Sequence, residues 1–305
     1  MRIGMHVRIA AGYRAAIEYA KRVGCEAVQV FSTNPRTYRV AAMDGAALET
    51  FKAMRMEAGI DPCIIHTSYL INLASDDPKV AQGSVRLLKA DLETAQAGAV
   101  RYVNTHLGSY GKRDRREGFI SACRLLDAVL ADIPHGVDLV LENSAGAGAL
   151  CGGTIEELGR FVKAIGHPQL GVCLDTAHAW AAGYEINSAR GVDAFLYEAA
   201  EAIGLERIPM FHFNDTQVEL GAGRDRHHHI GEGRIGVEGF HALTMRPELR
   251  DKTAILETPG DEADDVRNMK MLKSILASGA PCLTGAPPSS APPAISLRGP
   301  RPHDA

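Results

Sequence analysis

Eight short apolar runs, rich in β-branched residues, recur along this chain: Ile3–Val7, Ala27–Phe31, Cys63–His66, Tyr102–His106, Asp138–Glu142, Gly171–Asp175, Pro209–Asn214 and Thr253–Glu257. They start roughly 25–45 residues apart, room for one helix in each interval. The intervals carry helical patterns. Val85, Leu88, Leu92 and Ala95 share one helix face; so do Phe119, Cys123, Leu126 and Leu130, and so do Ile155, Leu158, Phe161 and Ile165. Thr154, followed by Ile155-Glu156-Glu157, is a predicted N-cap with acids in the first turn. Strand then helix, eight times over, predicts an α/β fold: a (β/α)8 TIM barrel. A doubly wound sheet is the alternative, but no glycine-rich phosphate fingerprint follows the first run.

A barrel gathers the loops after its strands on one face, and active sites sit there. Six of the eight runs end in, or pass through, a metal-ligand residue near that end: His66, His106, Glu142, Asp175, His212 and Glu257. With 37 acids and 12 histidines among 305 residues, one such ending is ordinary and six are not. The stretch Val172–Tyr184 shows the pattern best. Its apolar strand stops at Asp175, and His178 is expected in the next loop. Between Asn214 and Gly236 lies a long segment without helical or strand period, rich in glycine, arginine and histidine. Long structureless loops in compact domains are usually functional or disordered. In an extended chain its Asp225 and His227 point one way and Arg226 the other. The candidates are then His66, His106, Glu142, Asp175, His178, His212, Asp225, His227 and Glu257. Nine nitrogen and oxygen donors exceed what one metal takes, and their chemistry admits Zn, Mn, Fe or Co.

Composition sets bounds. No apolar run approaches a membrane span, and the first strand begins too near Met1 to leave room for a signal peptide. We therefore expect a cytoplasmic protein, with no membrane partner. The six cysteines (Cys25, Cys63, Cys123, Cys151, Cys173, Cys282) are scattered and read as small hydrophobes in a reducing compartment. Net charge is −4, which advertises no global basic patch. Three bound divalent cations would carry it to about +2, concentrated at the site. The barrel domain is expected over 1–280. A disordered tail rich in Pro, Ala and Ser is expected over 281–305.

Several motifs occur together and in order: HTSYLINLA at His66, NTHLGS at Asn104, LENSAGAG at Leu141, CLDTAHAWAAGY at Cys173, HFND at His212, DRHHHIGEGRIG at Asp225 and LETP at Leu256. On these the chain resembles the endonuclease IV family of apurinic/apyrimidinic endonucleases, from Met1 to about residue 276. The resemblance implies a xylose-isomerase-like barrel and a trinuclear zinc DNA-repair phosphodiesterase, with Mn in part possible. It assigns His66 and His106 to a first zinc, and Glu142 as bridge to a second. Asp175, His212 and Glu257 complete the second; His178, Asp225 and His227 hold the third. Glu142 and Glu257 are the expected catalytic carboxylates. FSTNPRTYR, starting at Phe31, resembles the family's DNA-penetrating loop, which makes Arg36 the residue that enters the base stack. Tyr69 and Leu70 resemble the wedge at a flipped abasic nucleotide, and Arg226 is a candidate phosphate contact. The implied reaction cuts duplex DNA on the 5′ side of an abasic or oxidised lesion, by a monomer.

Two rivals compete. A sugar isomerase or epimerase on a related barrel would use Glu142, Asp175, His212 and Glu257 around one or two metals. It would leave His66, His106, His178, Asp225 and His227 without a task. A binder of lesions or metals without turnover would keep the ligands and lose the reaction.

Overall fold

The computed structural model describes residues 1–32, 34–40 and 44–278. Strands β1 (Arg2–His6), β2 (Ala27–Phe31), β3 (Cys63–His66), β4 (Tyr102–Thr105), β5 (Asp138–Glu142), β6 (Leu170–Asp175), β7 (Met210–His212) and β8 (Thr253–Leu256) pair in parallel, each with the next. β8 returns to β1 and closes the barrel. Helices α1 (Tyr13–Val23), α2 (Gly45–Glu57), α3 (Pro78–Ala97), α4 (Arg115–Leu130), α5 (Ile155–Ile165), α6 (Thr176–Ala182), α7 (Ala189–Ala202), α8 (Gly236–Thr244) and α9 (Glu262–Ser278) fill the intervals. The expected TIM barrel is the observed fold. The tail expected over 281–305 lies outside the described residues.

The strands are nearly continuous apolar runs because both their faces are buried. Ala27, Ile64, Val140, Cys173, Met210 and Ile255 form a small layer inside the barrel. The larger core lies between strands and helices, with Phe51, Phe161, Phe195 and Phe240 fully buried. Helix starts follow side-chain capping. Asp44, Asp77, Asp114, Thr154 and Ser188 each accept a backbone N–H of their helix's first turn.

The runs read from sequence differ from the ladders by a residue or two. β4 and β8 stop one residue before His106 and Glu257, and β7 is confined to Met210–His212. Each chain leaves the ladder where its polar side chains turn into the site. A larger difference follows β6. His178 stands not in a loop but in the first turn of α6, where its backbone N–H donates to Asp175 Oδ1 at 2.8 Å. Asp175 is thus both a strand end and a helix cap.

Close packing at β1 gives a stability test. A Cβ on Gly4 would lie 1.9 Å from the Ala27 carbonyl oxygen, whereas one on Gly45 meets nothing within 4 Å. Gly4→Ala should cost at least about 1–3 kcal/mol in denaturant unfolding. Gly45→Ala, at the first position of α2, should be neutral or slightly stabilising.

Candidate metal centre

Register brings the strand ends to one level. His66 is opposite Asn104, Glu142 opposite Cys173, and Asp175 opposite His212. Three groups of donors result: His66, His106 and Glu142; Glu142, Asp175, His212 and Glu257; Asp175, His178 and His227. Within each group one donor atom per residue lies within 4.8 Å of the others. Glu142 belongs to two groups. So does Asp175, which sequence reading assigned to the second alone. Asp225 Oδ1 stands 3.3 Å from Nε2 of both His178 and His227. All nine candidates therefore meet at the C-terminal end of the barrel. A cavity of ≈ 590 Å³ opens over them, lined also by Tyr69 and Arg226.

The residues fit metal ions, and the histidines show why. His66 Nδ1–H donates to the Thr67 carbonyl at 2.8 Å, His178 Nδ1–H to that of Asn143 at 3.0 Å, and His227 Nδ1–H to that of Glu257 at 3.1 Å. A carbonyl only accepts, so these bonds fix each tautomer and leave Nε2 as a lone pair facing the centre. His227 Nε2 is buried and has no hydrogen-bond partner. His212 is held the other way round, its Nε2 3.0 Å from Gln29 Oε1. Gln29 Nε2 donates to Glu257 Oε1 at 2.7 Å, which fixes the amide's orientation. His212 Nδ1 then faces the carboxylates, hydrogen-bonded to Glu142 Oε1 at 3.2 Å with Glu257 Oε2 at 3.3 Å and Asp175 Oδ2 at 3.8 Å.

Charge follows from this crowding. Burial alone would push Glu142 up. The charges of His106 and His212 and hydrogen bonds from His178 and His212 outweigh it, and the carboxyl lies well below its ordinary value. Glu257 behaves alike: burial raises it, His212 and His6 lower it further, and the net shift is well downward. Burial lowers His178 and His212, but Asp175, Asp225 and Glu142 outweigh it at His178, and Cys173, Glu257 and Glu142 outweigh it at His212; both end well above the ordinary imidazole value. In His106 burial prevails and the shift is downward. Among the described residues cysteine supplies no donor to the three groups, though Cys173 hydrogen-bonds His212. Cys25, Cys63, Cys123, Cys151 and Cys173 are free thiols outside the three groups, and burial pushes Cys25, Cys63 and Cys151 up to about 12.

Sequence reading missed the supports. Asn104 Nδ2 donates to Glu142 Oε2 at 2.6 Å. Asn214 bridges two carboxylate residues: its Nδ2 donates to Asp175 Oδ2 at 2.6 Å, and its Oδ1 accepts the Glu257 backbone N–H at 2.7 Å. Asn143 pairs with the Asp175 backbone through both ends of its amide. His6, beside Glu257 at 3.4 Å, accepts from Gln29. Gln29, Asn104 and Asn214 are fully buried. An amide inside or just beyond an apolar parallel strand was the available signal, since such strands otherwise read as apolar throughout. The long loop has its own support. The Asp215 carboxylate accepts backbone N–H groups from Thr216, Gly231, Gly233, Ile235 and Gly236. A Cβ on Gly233 would come within 2.3 Å of it. This knot holds the loop that presents Asp225 and His227.

The residues expected at DNA stand on loops around the cavity. Tyr69 is 61% exposed, its ring edge-on to Phe31 at 5.2 Å. Arg36 is exposed on the β2–α2 loop, and its backbone N–H donates to Asn34 Oδ1. Two bonds tie that loop to the next one: Tyr38 Oη–H donates to the Leu70 carbonyl at 2.6 Å, and Ser68 Oγ–H to that of Pro35 at 2.6 Å. Leu70 is half-buried and, like Arg36, does not line the metal-site cavity.

The sequence and the fold match known proteins. Residues 17–275 match the family described as xylose isomerase-like TIM barrel. The probable endonuclease 4 of Natranaerobius thermophilus is 39% identical over 278 residues, covering 90% of this chain and 98% of that one. The solved endonuclease IV of Thermus thermophilus is 37% identical, with a TM-score of 0.81 over 91% of this chain and 100% of that one. A D-tagatose 3-epimerase-like protein shares the fold at 20% identity and a TM-score of 0.72, over 92% and 98%. The fold and the cluster define the class: a TIM barrel with metal-ligand residues gathered at the C-terminal ends of its strands. Within that class the chain belongs to the endonuclease IV family.

Two outcomes test this geometry. Asp215→Asn keeps one acceptor oxygen but turns an NH2 toward the N–H donors. Bonds to a charged group contribute about 1.5–3 kcal/mol each. Trypsin cleavage after Arg224, Arg226 or Arg234 in the native protein should therefore speed up by at least about tenfold, with far-UV circular dichroism unchanged. The second concerns the metal-free protein. Carboxyls lowered from 4.5 contribute stability above that value and lose it as pH falls through their folded pKa. Imidazoles raised from 6.5 contribute below that value and lose it as pH rises through theirs. Chelator-treated protein should thus unfold at its highest temperature between pH 4.5 and 6.5.

Proposed function

We propose that this protein is a metal-dependent endonuclease that hydrolyses the phosphodiester on the 5′ side of an abasic nucleotide in duplex DNA. The products are a 3′-hydroxyl and a 5′-deoxyribose phosphate. One observation carries this reading: eight donor residues in three overlapping groups, with Asp225 beside His178 and His227, converge at one barrel end in a chain of the endonuclease IV family. A one-metal sugar isomerase accounts for Glu142, Asp175, His212 and Glu257 and leaves the other five donors without a purpose.

His66 and His106 would hold one zinc, Asp175, His212 and Glu257 a second, and His178, Asp225 and His227 a third, with Glu142 between the first two. Bound there, the metals would lower the pKa of water and neutralise phosphate oxygens and the leaving alkoxide. The chain's own residues do the rest. Gln29 holds the His212 ring and Glu257 at once, and Asn104 and Asn214 aim Glu142 and Asp175. Low pKa values keep Glu142 and Glu257 anionic at neutral pH, able to ligate or to accept a proton from water. Water oxygen bonds to phosphorus, the bond from phosphorus to the upstream O3′ breaks, and O3′ leaves as a hydroxyl. Tyr69 stays protonated, since burial and the charges of Glu257 and Glu142 raise its pKa. With Leu70 and Arg36 it supplies the apolar and cationic parts of a wedge. An abasic nucleotide, without stacking or pairing partners, is cheaper to extrude than a normal one.

The test is incision of an end-labelled duplex bearing one tetrahydrofuran abasic analogue. That analogue lacks the aldehyde needed for lyase chemistry. A single 5′ cut that a polymerase can extend is expected. No cut by folded, zinc-loaded protein would favour the isomerase. Glu257→Gln should abolish incision and spare the fold. Gln29→Ala should lower the rate about 10–100-fold, the usual effect of losing a ligand's orienting partner.

A further inference from the structure

A second cavity, of ≈ 540 Å³, opens beside the metal-site cavity, between the β1–α1 loop and the start of α9. The two share four lining residues: His6, Arg8, Glu257 and Thr258. Arg8 is the permanent cation among them. It follows the last residue of β1 by two positions and is exposed.

Several arginines of this chain are spent on internal ion pairs. Arg22, Arg55, Arg101, Arg234, Arg246 and Arg267 all pair with carboxylates. Among the described residues Arg8 makes no ion pair or side-chain hydrogen bond, though acids line the same cavity. Each of those acids is engaged elsewhere. Glu262 takes Arg22 through two bonds at 2.8 and 3.0 Å, Asp265 accepts the Tyr19 hydroxyl, and Asp261 accepts the N–H groups of Ala263 and Asp264. Glu257 is taken by Gln29, with His6 and His212 beside it. The charge of Arg8 reaches Asp265, but no acid of the cavity bonds its guanidinium, whose N–H groups stay open to an external anion.

Topology gives that anion a position. β8 lies between β7 and β1 in the closed barrel, so the loops carrying Arg226 and Arg8 flank the one carrying Glu257. Both arginines line the metal-site cavity, from the two sides of that loop. A polyanionic strand crossing the cavity would meet one at each side. A guanidinium suits phosphate because its planar N–H groups engage two oxygens together.

We propose that Arg8 binds a backbone phosphate of the DNA strand, outside the scissile linkage, where that strand passes from the metal site over the second cavity. This rests on the nuclease reading and adds a phosphate contact that sequence reading did not single out. The contact positions the strand and carries no base information.

The test is the salt dependence of binding, measured with the full, zinc-loaded chain and an undamaged duplex, which is not cut. Neutralising one phosphate releases counterions, so the slope of log K against log salt should be shallower by about 0.9 in Arg8→Gln than in wild type. Arg8→Lys should restore it. On the tetrahydrofuran duplex, KM should rise for Arg8→Gln by the factor seen with undamaged DNA, and kcat should stay within about twofold. An unchanged slope would overturn the assignment, and so would a loss confined to kcat. Wild-type protein that neither binds nor cuts DNA would instead remove the nuclease reading beneath it.

Discussion

Glu142, Asp175 and Glu257 bring carboxylate oxygens to within 3.2–3.8 Å of a single imidazole nitrogen of the buried His212. Like charges gathered in a poorly solvated place repel strongly, and removing each from water costs several kcal/mol. The metal-free chain meets that cost only in part, by protonating His178 and His212. Divalent ions would meet it fully and leave the imidazoles neutral as ligands. The centre is thus built at the expense of stability without metal, and the surrounding barrel must hold it open.

The holding is done by rigid elements. Four of the ligands, His66, Glu142, Asp175 and His212, end strands whose register is fixed by the closed ladder, and Asp175 is further fixed as the cap of α6. Buried amides set the side chains. Gln29, Asn104, Asn143 and Asn214 each bind a carboxylate residue of the cluster, and Gln29 also sets the His212 tautomer. Asp225 and His227 come from a loop rather than a strand, and their precision rests on Asp215, a buried carboxylate that replaces missing secondary structure with hydrogen bonds to backbone N–H groups. A binding or catalytic geometry supported this way loses function when a support is removed, even at constant fold.

Much of this was legible in the sequence. The barrel was visible because strands buried on both faces read as apolar runs, and the helices between them keep a 3.6-residue period. Six of the nine candidate donors were visible because a parallel barrel places every strand end on one side, and His178, Asp225 and His227 because they lie in segments that follow such ends. What escaped were relations between distant residues. Gln29 looks like a flaw in AVQVF until closure of the barrel sets it between Glu257 and His212. Asp215 hides beside His212 and Asn214, and only the folded loop shows its five donors. His178 was assigned to a loop because a seven-residue helix carries too few turns to show a period. Asp175 was given one group, since spacing along a chain does not reveal an oxygen shared between two. Arg8 carries no signal until the partners of its acidic neighbours are known.

The most direct measurement is the number of metal ions per chain, by native mass spectrometry of the protein purified without chelator, beside its Glu142→Ala variant. Two carboxylates, each shared between groups, predict three divalent ions in the wild type and loss of at least one in the variant. A wild type that binds a single ion, unchanged when Glu142 is replaced, would contradict the shared cluster and point to a one-metal barrel enzyme.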